Sequence, residues 1–93
     1  MYRIDKKTKK KIIKEFCGLV SSFKSPPEVQ EFFEGFFTHS EFLIFAKRFQ
    51  AAKLLKRHVP YIEISRMLKL SYSTLSRLAN KFRTNEFFEK KIP

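Results

Sequence analysis

The side chains best suited to reading another molecule lie close together near the C-terminal end of the chain. Tyr72, Ser73, Ser76, Arg77 and Asn80 fall on one face of a predicted helix, with no acidic residue among them. These types match the base edges in the major groove of duplex DNA. A guanidinium can meet guanine O6 and N7 together, a carboxamide can do the same for adenine, and hydroxyls serve bases or phosphates. Ser71, Thr74 and Lys81 border that face, and with Lys53, Lys56 and Arg57 they are candidates for phosphate contacts. The plainer alternative is an ordinary polar helix surface.

Two short helices must position these groups. Across residues 61–82 the apolar positions are Ile64, Leu68, Leu70, Leu75 and Leu78. The first two share a helix face, Leu70 plugs a tight connection, and the last two point back from a second helix. Ser65 is small enough to let the helices cross closely. Ser71 follows the turn and is placed to cap the second helix by accepting from the amide of Ser73 or Thr74. This phase is that of a helix-turn-helix. The turn position usually held by glycine is Lys69, and a positive φ there costs of order 1 kcal/mol.

The remaining sequence predicts an all-α fold on a single domain of residues 1–93. Residues 5–24 form a helix in which Ile12, Ile13, Phe16, Leu19, Val20 and Phe23 recur at three- and four-residue steps, with lysines on the other face. Cys17 beside that stripe is expected to be buried. Ser25-Pro26-Pro27 ends this helix and opens the next. Residues 26–57 are expected to supply a Phe-rich core and the dimerisation helices, with a break and a new cap at Thr38-His39-Ser40-Glu41. Pro60 separates the long helix from the helix-turn-helix at 60–83, and residues 84–93 form a short tail with room for a sixth, short helix around Glu86 to Ile92. Phenylalanine supplies 12 of the 15 aromatic residues. Each would bury roughly 150 Å² or more, which is difficult for a monomer of this size. Part of the cluster is therefore expected to be a homodimer interface.

Composition limits the function classes. The chain has 93 residues, 20 basic against 9 acidic, for a net charge of +11. Charge is uneven: residues 26–45 carry four glutamates and no base, whereas residues 46–84 carry ten bases against Glu63 alone. A cationic C-terminal half is the footprint of a polyanion partner. The lysine run Lys6 to Lys14 reads as a solvated helix face or as a non-specific phosphate-binding arm. No apolar run reaches the length of a membrane span, and the N-terminus does not resemble a secretion signal, so a cytoplasmic protein is expected. One cysteine excludes an internal disulfide, and no Cys/His cluster suggests a metal. His39 and His58 are expected to be surface or cap residues. No catalytic grouping is visible, and the chain is not expected to be an enzyme.

The stretch from Pro27 to Phe82, 56 of 93 residues, resembles the Trp repressor superfamily, and most of all the YerC/YecD-like branch of Trp-repressor-related proteins. The resemblance is carried by Phe32-Phe33-Glu34, Thr38, Ala46-Lys47-Arg48-Phe49, Ala52-Lys53-Leu54-Leu55, Tyr61-Ile62-Glu63-Ile64-Ser65 and Ser73-Thr74-Leu75-Ser76-Arg77. It implies an intertwined, all-helical homodimer whose paired heads bind a palindromic double-stranded DNA operator. In the tryptophan-sensing branch the corepressor lies between the long helix and the recognition helix, and the corresponding contacts here would be Thr38, Arg48 and Arg77. Leu78 stands where that branch has glycine and His58 where it ends the long helix with glycine. A leucine there is expected to fill the indole space, which disfavours L-tryptophan as an effector. The expected function is a sequence-specific transcriptional regulator, a repressor. The alternative is a protein- or RNA-interaction module within a larger assembly.

Overall fold

A computed structural model describes residues 3–93, so Met1 and Tyr2 lie outside the described residues. Among the described residues six helices follow in order: α1 (Lys6–Ser21), α2 (Pro26–Phe36), α3 (His39–Lys56), α4 (Tyr61–Leu68), α5 (Tyr72–Thr84) and α6 (Glu86–Lys91). Among the described residues there is no strand. The chain divides into two compact units, Met1–Thr38 and His39–Pro93. That boundary falls inside the stretch 26–57, which the apolar pattern alone reads as continuous.

In the first unit, local chemistry sets both helix starts. The Asp5 carboxylate accepts from the Thr8 amide at 2.7 Å and caps α1. Because that bond favours the charged form, it holds the Asp5 carboxyl below the usual carboxylate range. At α2, Ser25 Oγ accepts from the Glu28 amide at 3.4 Å while Glu28 Oε2 accepts from the Lys24 amide at 3.0 Å. This is close to a capping box, with the return bond displaced by one residue. Packing here is aromatic: Phe23 lies 5.0 Å from Phe32, Phe32 stacks on Phe36 at 5.5 Å, and Phe16 reaches Phe36 at 5.6 Å. Even so, neither α1 nor α2 has a buried residue. The expectation of a buried Cys17 is corrected: it is exposed, because the apolar stripe of α1 has no cover on that side within its unit.

The second unit closes a small core of its own. Ala51, Ile64 and Leu75 are fully buried, with Leu54, Leu55, Val59, Tyr61, Leu68, Leu70 and Leu78 packed around them. Alanine at the centre of α3 lets α4 and α5 approach closely. The phenylalanines of α3 do not make this core. Phe45 and Phe49 are exposed, as are Leu43 and Ile44, so α3 also carries apolar side chains away from the closed core. It ends at a left-handed His58 with φ 63°. There the His58 amide donates to the Leu55 carbonyl and the Val59 amide to the Leu54 carbonyl, both at 3.0 Å. These are the two bonds of a Schellman cap, so His58 is a cap residue.

The expected C-terminal tail is the helix α6. Asn85 Oδ1 accepts from the Phe88 amide at 2.9 Å. Lys56 Nζ then pins the helix to α3 by donating to the carbonyls of Glu89 at 2.7 Å and Ile92 at 2.6 Å. The Glu89 carboxylate lies 3.4 Å from the same ammonium.

Candidate nucleic-acid interface

α4 and α5 meet at a turn built from backbone demands. Lys69 closes α4 in the left-handed region, φ 56° and ψ 45°, with its amide bonded to the Ser65 carbonyl. The Ser65 hydroxyl crosses the turn and donates to the Leu70 carbonyl at 2.7 Å. So Ser65 is more than a small residue at a crossing: it satisfies a carbonyl that the bend would leave without a partner. Ser71 Oγ accepts from the Thr74 amide at 3.2 Å and caps α5. The hydroxyls of Ser73 and Thr74 sit 3.1 and 3.0 Å from the same oxygen.

Burying Ile64 and Leu75 fixes which way α5 faces. With Leu75 at 0% exposure, the opposite arc turns to solvent. Ser71, Tyr72, Ser73, Ser76, Arg77, Asn80 and Lys81 are all exposed, and Thr74 is half-buried. The Tyr72 ring meets Tyr61 edge-on at 6.2 Å, which limits its swing. α5 contains no Asp or Glu from end to end.

Arg83, which sequence reasoning passed over, belongs on this face. Its Nη2 donates to Asn80 Oδ1 at 3.0 Å. The bond orients the Asn80 carboxamide and leaves its amide hydrogens outward, with one lone pair of Oδ1 still open. The signal was available: Asn80 and Arg83 are three residues apart, the spacing of neighbours on one helix face.

On one side of α5, Arg48 of α3 joins Thr74, Arg77, Leu78 and Lys81 around a cleft of about 220 Å³. Three cations and a hydroxyl line it, without an acid. Arg48 Nε is shut away from water and has no hydrogen-bond partner. Its guanidinium carbon lies 5.7 Å from the centre of the Phe45 ring.

The sequence model of the Trp repressor protein matches residues 11–91. The chain belongs to the Trp repressor family. No curated protein and no solved structure matches it. Trp repressor family membership makes this a helix-turn-helix chain of a DNA-binding regulator family, in accord with the acid-free face of α5. No helix among the described residues is long and apolar enough to cross a membrane.

Within this Trp repressor fold, the expected side chains are divided among different tasks. Arg48 and Arg77 do line one cleft, whereas Thr38 is the last residue of the other unit. Leu78 packs against the core and also forms part of the cleft wall. Lys56 is corrected as a phosphate contact, because its ammonium is spent on α6. Lys53 is half-buried with its ammonium 5.7 Å from the Phe49 ring centre, and Arg57 remains exposed.

Proposed function

We propose that this protein is a sequence-specific, double-stranded-DNA-binding transcriptional repressor of the YerC/YecD-like branch, acting as a homodimer. The observation that carries this reading is the exposed, acid-free arc of α5, with Arg77 free and Asn80 oriented by Arg83. Arg77, Asn80, Ser73, Ser76 and Tyr72 read base edges in the major groove. Ser71, Thr74 and Lys81 meet phosphates, joined by Arg57 and Lys53. The dimer is supported by the exposed apolar side chains of α1, α2 and α3, among them Phe16, Phe36, Phe45 and Phe49. Covering these faces with a second copy would form a shared core. Two-fold symmetry then requires a palindromic operator with half-sites about one helical turn apart.

The cleft beside α5 suits an anion, since Arg48, Arg77 and Lys81 line it together with the Thr74 hydroxyl and no acid. We infer that a DNA phosphate serves it and that L-tryptophan does not, because Leu78 occupies the wall where an indole would lie.

The test is in vitro selection from random duplexes, with and without L-tryptophan. The expected result is a short palindrome that is the same in both arms. Arg77→Ala should weaken binding to that palindrome by about 1–3 kcal/mol and relax the preference at one position. An unchanged affinity removes Arg77 from the readout. Steeply salt-dependent binding with no consensus replaces the regulator by an interaction module.

A further inference from the structure

α1 carries six lysines that the recognition of DNA by α5 does not use, and five of them share one face. At 3.6 residues per turn, Lys6, Lys7, Lys10, Lys11 and Lys14 occupy roughly 140° of the helix circumference and on the order of 12 Å of its axis. All five are exposed. No salt bridge among the described residues involves any of them. Asp5 stands beside the stripe, but its carboxylate is taken up in capping the helix.

This arrangement works against the helix that bears it. The first turn holds no acidic residue, so Lys6 and Lys7 face the positive end of the helix dipole. Lys6 and Lys10, Lys7 and Lys11, and Lys10 and Lys14 are like charges four residues apart, each pair destabilising by a few tenths of a kcal/mol. A stretch chosen only for solubility or helix stability would interleave acids here, as α6 does with Glu86 and Lys90 at 3.1 Å. A polyanion laid along the stripe would relieve both strains at once.

We propose that the lysine stripe of α1 is a second, sequence-independent contact for duplex DNA, touching phosphates while α5 reads bases. The proposal rests on the regulator reading above. Duplex phosphates suit the stripe because they are closely spaced: one charge per about 1.7 Å of axis puts several within its length. An anionic membrane is the other surface that a basic amphipathic helix can meet. It is disfavoured because the apolar side of α1, exposed at Ile12, Ile13 and Leu19 in the single chain, is the face assigned above to the second copy.

The experiment uses the full chain and a random-sequence duplex of about 40 base pairs, with affinity followed against salt. A triple variant, Lys7→Gln, Lys10→Gln and Lys14→Gln, is compared with a charge-matched control, Lys24→Gln, Lys90→Gln and Lys91→Gln. Glutamine keeps the helix propensity, and circular dichroism verifies that α1 persists. The stripe variant should lower the slope of log K against log salt by about 2 to 3, at roughly 0.9 for each phosphate that is no longer neutralised. The control should change it by less than about 1, and the selected consensus should stay the same for both. Equal slopes for the two variants overturn the stripe while leaving the regulator intact. Failure of the unaltered chain to bind any duplex sinks the regulator reading and the stripe with it. An unchanged DNA slope together with abolished binding to vesicles of phosphatidylcholine and phosphatidylglycerol assigns the stripe to membranes and overturns the proposal.

Discussion

The two units of this chain use the same raw material differently. Residues from His39 onward close a core of Ala51, Ile64 and Leu75 with no exposed surface. Residues up to Thr38 bring six phenylalanines into ring contact, yet leave every residue of α1 and α2 at least partly exposed. Small side chains explain the first case. Alanine on α3 and serine on α4 let three helices approach until isoleucine and leucine are sealed. Large rings explain the second, because two helices alone cannot surround a phenylalanine. Apolar periodicity therefore tells which side of a helix avoids water, and leaves open whether the cover comes from the same chain.

Breaking each side of this contrast should give different signatures. The largest effect is expected for Leu75→Ala, which leaves a cavity in the closed core and should lower the unfolding free energy by about 2–5 kcal/mol in urea titrations. A cost below about 1 kcal/mol would mean that the second unit collapses around the gap. Phe36→Asp places a charge at a ring 60% exposed in the single chain. If a second copy covers that ring, sedimentation should show the dimer weakened by about 2–4 kcal/mol, with the helical signal of α3 to α6 retained. An unchanged association state would put Phe36 outside the interface.

Two smaller changes sharpen the contrast at the level of backbone and charge. Lys69→Gly removes the left-handed strain at the turn and should stabilise the second unit by about 1 kcal/mol. A loss instead would show that the lysine stem makes contacts worth more than the strain. At the start of α1, the Asp5 carboxyl is held below its ordinary value of 3.8 by the Thr8 amide. Its capping contribution is complete above that ordinary value and disappears as pH falls through the lowered one. Fraying of α1 in acid, followed by hydrogen exchange at Thr8, should be present in the native chain and lose its pH dependence in Asp5→Asn.

Much of the recognition head was legible because its determinants are local. The phase of Ile64, Leu68, Leu70, Leu75 and Leu78, the Ser71 cap and the left-handed Lys69 each depend on neighbours within a turn or two of helix. Among the side chains near α5, Arg83 could have been read from its three-residue offset to Asn80. Lys56 could not: from its position it looks like a dipole-matched surface cation. Its partners Glu89 and Ile92 lie 33 and 36 residues away. Arg48 is similar, since nothing near it in sequence shows that its Nε is sealed from water beside Leu78 and Arg77.

Sequence by itself determined the first five helices, the Ser25 and Ser71 caps and the acid-free face of α5, because hydrogen bonds and periodicity acting over three or four residues set these. Only the tertiary structure decided which apolar faces close within the chain, which cations remain free for a ligand, and that Thr38 and His39 divide the two units. Those outcomes depend on the volumes and reach of side chains brought together from distant positions, and no local pattern encodes them.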